Sequence, residues 1–152
     1  YQKKVEQRKR ETTKNQMVTS SLLEAEKRLL GLISQSKKLY KMSSAHIKAE
    51  EFATDVYRRL AKSMYDSYEN GMSPDPAMML NDFSGDDLSE ASEVFYNLEV
   101  YSGDEETVKE LLYTIKLEKL NMHINAETDP TNLMDLFKQR EELLNEKNTW
   151  EE

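Results

Sequence analysis

Cysteine is absent from the sequence, and only four glycines and three prolines occur among its 152 residues. Without cysteine, the chain can form neither a disulfide nor a thiolate metal site. No apolar run approaches the roughly 18 residues that a membrane span requires, and no signal peptide is visible. Because the first residue is tyrosine rather than methionine, we expect a fragment or a processed product.

The residue types that are present favour helices. Apolar residues make up 38% of the chain and charged residues 33%, which suits thin helical packing better than a thick sheet core. The runs of valine, isoleucine and threonine that mark strands are lacking. We therefore predict an all-α fold, in which a compact bundle of about five to six helices is followed by a C-terminal two-helix hairpin and joined to it by a long shared helix.

Five helices are predicted before the long one, from apolar residues at helical spacing and from capping residues. Ser21 and Glu24 fit a capping box at the start of the first helix. Gly71 fits a cap after the third helix, and Ser73 with Pro74 fits the start of the fourth. The predicted ranges are roughly 21–33, 37–47, 53–70, 75–82 and 88–98.

The sixth predicted helix carries two apolar stripes in succession. The first consists of Val108, Leu111, Leu112 and Ile115, and the second of Tyr113, Leu117, Leu120 and Ile124. At about 100° per residue the stripes point about 160° apart, so the two halves of this helix should pack against different partners. We therefore divide the chain into a basic polar linker (1–19), a helical bundle (20–116) and a helical hairpin (117–152).

A last helix is predicted to start at Asp129 and Pro130 and to lie antiparallel to the sixth, because the connection is short. Its apolar stripe consists of Leu133, Leu136, Phe137, Leu143 and Leu144. Met134, Phe137, Leu144 and Trp150 are more apolar surface than a two-helix hairpin can readily bury. Two interpretations remain open: these residues form a binding surface, or they complete the seam between the two helices.

The motifs of catalysis are missing. The glycines are single, so no phosphate-binding loop occurs, and no strand–turn–helix elbow frames a serine. The pairs His46–Glu50 and His123–Glu127 have i,i+4 spacing, which favours helix-surface pairing over the three or four ligands of a metal site. Acidic clusters at or near predicted helix N-termini are interpreted as N-terminal caps, and most of the tyrosines and methionines as core. We predict no catalytic, cofactor-binding or metal-binding residue.

Charge is distributed unevenly along the chain. Residues 1–16 contain six basic and two acidic residues, a net charge of +4, and since the whole chain carries −8, the rest carries −12. Lys and Arg supply most of the affinity for nucleic acids, so an acidic body favours a protein partner. The basic segment is interpreted as a solvated linker, with a nucleic-acid-binding arm as the alternative.

Two segments of the sequence resemble, in the same order, a pattern shared by two known domains. They are EAEKRLLGLI and, after a short helix, EEFATDVYRRLAKSMYDSYENGMSPDPAMMLNDF. Both resemble the C-terminal helicase-binding domain of bacterial DnaG-type primases and the N-terminal domain of DnaB-type replicative helicases, which has a similar fold. The shared positions are Ala25, Glu26, Leu29, Leu30, Gly31, Phe52, Tyr57, Leu60, Tyr68, Glu69, Asn70 and Gly71. The resemblance covers about residues 21 to 150, and the basic segment before the bundle together with the hairpin after it favours the primase domain.

The resemblance implies a binding module that is not itself an enzyme. It would tether primase to the hexameric replicative helicase and modulate their activities in the bacterial cytoplasm. We expect no cofactor, no membrane contact and no direct contact of the acidic body with nucleic acid. The residues expected to contact the helicase are Leu133, Met134, Leu136, Phe137, Arg140, Glu141, Leu144 and Trp150. The alternatives are the N-terminal domain of a DnaB-type helicase and a helical adaptor with a basic nucleic-acid-binding arm.

Overall fold

A computed structural model of the chain describes residues 18–96 and 104–150, and within these ranges every regular element is helical, as predicted. The helices are α1 (Ser20–Gln35), α2 (Lys37–Ser44), α3 (Asp55–Glu69), α4 (Pro76–Leu80), α5 (Gly85–Tyr96), α6 (Glu105–Ala126) and α7 (Pro130–Lys147), with a 3-10 turn at Ala49–Glu51. The basic segment lies outside the described residues, so both interpretations of it stay predictions. None of the described helices is long and apolar enough to cross a membrane.

Caps delimit the helices, because the first N–H and last C=O groups of a helix have no partner within it. Asp104 and Asp129 accept backbone N–H groups at the starts of α6 and α7. After α3, Gly71 adopts a φ of 75°, its N–H donates to the Tyr68 carbonyl, and the N–H of Met72 donates to the Ser67 carbonyl. This is the paired hydrogen-bond pattern of a glycine cap, and it confirms the predicted end of α3.

Two predicted helix caps are displaced by two residues each, and α5 starts at Gly85, three residues before its predicted start. Ser21 lies inside α1, because the Thr19 hydroxyl accepts the Leu22 N–H at 3.1 Å and so takes the capping position. The helix α4 starts at a later proline than predicted: Asp75 caps it and Pro76 stands in its first turn.

Helix α1 lies at the centre of the bundle, in contact with α2, α3, α5 and α6. Tyrosines complete the core beside it, as interpreted from the sequence. The Tyr68 hydroxyl donates to the Ile33 carbonyl at 2.6 Å, and the Tyr65 hydroxyl donates to the Ile47 carbonyl at 2.9 Å. Tyr40 stacks on Tyr68 with ring centroids 4.6 Å apart. The buried hydroxyls of Tyr65 and Tyr68 therefore both have acceptors, which removes the cost of burying them unpaired.

Helix α6 packs on two partners, as its two stripes indicated. Its first stripe is buried in the bundle, whereas the residues of its second stripe are half-buried. Arg140 of α7 contacts Asn121, and Lys147 contacts the earlier residue Glu110, so α7 runs antiparallel to α6. The proposed boundary between residues 116 and 117 falls inside continuous helix, and the division into linker, bundle and hairpin stays a prediction.

Candidate protein-docking surface

The root of the hairpin, where α6 leaves the bundle, is tied down by two consecutive side chains. Glu118 accepts a hydrogen bond from the Thr19 hydroxyl at 2.9 Å. Lys119 donates to the backbone carbonyl of Glu51, and its ammonium nitrogen lies 4.0 Å from the Glu26 carboxylate. These contacts join α6 to the start of α1 and to the 3-10 turn, so the direction in which α6 leaves the bundle is fixed by polar contacts.

Glu26 is fully buried at this root. One of its carboxylate oxygens accepts the Ala53 N–H at 2.9 Å, and the other accepts no hydrogen bond from the described residues. Burial raises the pKa of Glu26 to about 7, and it outweighs the hydrogen bond from Ala53 and the charges of Lys119 and Arg58, which lower it. Its charge therefore changes near neutral pH. The sequence carried a signal for this site, since Glu26 falls among apolar residues on the buried face of α1.

Helix α7 has one face in the core and another in solvent. Leu143 is buried in the core, and Leu133 and Leu136 are half-buried, which places these three on the seam. Met134, Phe137 and Leu144 are 72%, 39% and 52% exposed. Their spacing of three and seven residues puts them on one side of the helix. We call Met134, Phe137 and Leu144 the exposed stripe.

Charged side chains border the exposed stripe. Arg140 donates to the Asn121 side chain at 3.1 Å, and its guanidinium carbon lies 5.2 Å from the centre of the Phe137 ring. Glu141 is exposed, between Phe137 and Leu144 in sequence. An apolar centre with a polar rim of both signs is the usual composition of a protein–protein interface.

Trp150, one of the predicted contact residues, is not part of the exposed stripe or its border. Its side chain is only 5% exposed. The ring centroid is 4.8 Å from that of His46 and 5.4 Å from the Lys116 ammonium nitrogen. The interpretation of His46 and Glu50 as a helix-surface pair is wrong, because His46 follows α2 and Glu50 belongs to the 3-10 turn. Contact of the eight predicted residues with a helicase stays a prediction.

Two other kinds of site, a metal site and an anion-binding pocket, are less favoured by the geometry. Among the described residues, no three His, Asp or Glu side chains are placed to hold a metal ion. A pocket of about 550 Å³ between α2 and α3 is lined by several cations. Three of these cations have partners: Arg58 and Arg59 donate to backbone carbonyls, and Lys62 lies 3.4 Å from Asp66.

Comparison with known protein families shows which domain the chain is similar to. The family model of the DnaB-like helicase N-terminal domain matches residues 18–117. The matched residues cover the bundle and the first part of α6, whereas α7 and the exposed stripe lie beyond them. No curated protein and no solved structure shows significant similarity to the chain.

Proposed function

Because the chain belongs to the DnaB-like helicase N-terminal domain family, we propose that it is a docking module without catalytic activity that works at the replicative helicase. Its bundle is a helicase-related domain of DNA replication. The proposal adds that the role of the hairpin is to bind a protein partner.

The exposed stripe is the observation that carries this proposal. Three large apolar side chains face solvent on one side of a helix whose other side is anchored in the core. A few such residues typically supply most of the binding energy of an interface. Since α7 is already folded and anchored, little conformational entropy is lost when a partner covers it.

More specifically, we propose that the chain is the helicase-binding domain of a DnaG-type primase. Its hairpin would dock onto the N-terminal domains of the helicase hexamer. The two shared sequence segments support it, as does a hairpin that lies beyond the matched residues 18–117. The physical benefit is concentration: a tether raises the effective concentration of the primer-synthesising enzyme at the newly opened strand. Primers would then be laid down where the duplex separates.

The second candidate is the N-terminal domain of a DnaB-type helicase itself. The family match supports this reading more directly than it supports the primase reading, because the family is named for that domain. Here the exposed stripe would contact another copy of the chain, and the domain would bind primase rather than helicase. The two candidates therefore differ in what covers α7.

Size-exclusion chromatography with light scattering, at tens of micromolar, separates the candidates. A primase domain should remain monomeric alone and form a complex with the helicase N-terminal domain of the same organism. A helicase domain should self-associate and bind the primase domain instead. If the chain neither self-associates nor binds either domain, the proposed function is wrong.

A matched pair of variants locates the surface. Replacing all three residues of the exposed stripe by serine should weaken the complex about 100-fold, at roughly 1 kcal/mol per lost apolar contact. The control replaces Met72 and Met78 by serine, because both are exposed but belong to the bundle. Point variants are preferable to deleting residues 128–152, which would uncover the core surface now buried by Leu143 and Trp150. Equal weakening by both variants would contradict the assignment of the stripe.

A further inference from the structure

A second attachment joins the hairpin to the bundle, far along the chain from its root. Lys147, in the last turn of α7, forms an ion pair with Glu110 and lies 4.8 Å from the centre of the Tyr113 ring. Three residues later, Trp150 is buried against His46 and Lys116. The chain between them is ordered by backbone bonds, since the Trp150 N–H donates to the Lys147 carbonyl at 3.1 Å.

We propose that residues 147–150 form a clamp that fixes the angle between hairpin and bundle, and that Trp150 is a positioning residue rather than a docking contact. The clamp consists of the contacts of Trp150 with His46 and Lys116, together with the ion pair between Lys147 and Glu110. It holds the exposed stripe in one orientation for a partner.

Two attachments are needed to fix this angle. The root involves α6 alone, and Leu143 is the one described residue within α7 that is buried in the core. A hairpin held only at the root and by Leu143 could pivot about α6, because motions of this kind concentrate at a few residues where elements join. The clamp holds the other helix, α7, at the end that lies nearest the bundle. With both helices held, the hairpin cannot rotate without uncovering the Trp150 ring.

The environment of the Trp150 ring favours a neutral His46. Burial and the neighbouring charge of Lys116 on α6 lower the pKa of His46, whereas Glu146 on α7 raises it. The ring that Trp150 covers is therefore uncharged at neutral pH, while Lys116 supplies a cation for the indole face. Through one side chain, the contact joins the segment after α2, helix α6 and the segment after α7.

Distance measurements between spin labels test the clamp without any partner. Because the chain has no cysteine, a labelled pair at Glu69→Cys on α3 and Thr128→Cys at the hairpin tip is unambiguous; both positions are exposed. We expect a narrow distance distribution in the parent pair, a broad one with Trp150→Ala, and a narrow one again with Trp150→Phe. The control Met134→Ala should stay narrow. A distribution as narrow with Trp150→Ala as in the parent would overturn the proposal.

A second readout applies if Trp150→Ala does not fold. Trp150 is the single tryptophan, so quenching of its fluorescence by acrylamide reports how often the clamp is open. The variants His46→Ala and Lys147→Gln keep the tryptophan and should both raise the quenching constant, whereas Lys138→Gln, an exposed change on α7, should not. Unchanged quenching in both clamp variants would overturn the proposal.

The effect on docking rests on the proposed function. Trp150→Ala should weaken helicase binding in proportion to the fall in the population of the docking-competent orientation. Trp150→Phe should restore the binding. The exposed-stripe variant should weaken binding while leaving the distance distribution narrow. If no form of the chain binds helicase, the proposed function fails, and the distance and quenching measurements alone decide the clamp.

Discussion

At the scale of single residues, Glu26 links stability to pH. Its pKa of about 7 in the folded protein lies above the ordinary value of 4.5 that we take for the unfolded chain. The folded state therefore binds the additional proton between these values. The contribution of this group to stability is full below pH 4.5 and is lost as the pH rises through 7. For so buried a carboxyl the loss is on the order of 3 kcal/mol.

We expect Glu26→Gln to abolish this loss. The free energy of unfolding, from urea denaturation at pH 5.5 and pH 8.5, should fall more for the wild type than for the variant. The control is Glu24→Gln, which alters an exposed carboxylate on the same helix and should leave the wild-type pH dependence unchanged. If the free energies of unfolding of the wild type and of Glu26→Gln differ by the same amount at both pH values, the raised pKa of Glu26 is refuted.

His46 should act in the opposite direction. Its pKa is lowered in the folded protein from the ordinary value of 6.5, mainly by burial. The unfolded state then binds the additional proton, so the stabilising contribution is present above pH 6.5 and is lost as the pH falls through the folded pKa. We expect His46→Gln to remove this acid sensitivity. Following the ring protons of His46 by NMR measures its pKa directly, and a midpoint above 6.5 contradicts the prediction.

At the scale of helices, Thr54 stabilises one helix start and one tertiary contact. Its hydroxyl oxygen accepts the Tyr57 N–H at 3.0 Å and donates to Glu90 of α5 at 2.9 Å. Thr54→Ala removes both bonds and should lower the free energy of unfolding by about 1–2 kcal/mol. Thr54→Ser keeps the hydroxyl and should cost clearly less. Equal losses in the two variants, measured by chemical denaturation, would show that the hydroxyl is not responsible.

The helices could be predicted from the sequence because their signals are local. Apolar spacing within α3 and α6 placed these helices to within a few residues, and Asp129 with Pro130 marked the start of α7 correctly. Local signals also explain the errors. Two Xaa-Pro steps follow Gly71 in quick succession, at Pro74 and Pro76, and both satisfy the preference for proline in a first turn. The structure places the cap at Asp75, whose side chain accepts the Ala77 N–H at 3.0 Å, so Pro76 is the proline in the first turn.

At the scale of the whole molecule, the sequence predicted the hairpin but not its attachment. The excess apolar surface on α7 left two interpretations open, a binding surface and the seam between the helices, and the exposure of Met134, Phe137 and Leu144 favours the first for these three residues. Trp150 has the same chemical character, yet it is buried on His46 from a distant part of the chain. No local pattern encodes such a long-range contact, so a solvent-facing indole and a buried one look alike in sequence.

The long-range contacts lead to a last prediction about cooperativity. Leu143 and Trp150 belong to the same buried cluster as the residues of α1, so the hairpin and the bundle should unfold in one transition. Trp150 fluorescence reports the attached end of the hairpin, and far-ultraviolet circular dichroism reports all helices. The two signals should give the same urea midpoint. An earlier fluorescence midpoint would mean that the hairpin detaches before the bundle unfolds, and that the two pack as separate units.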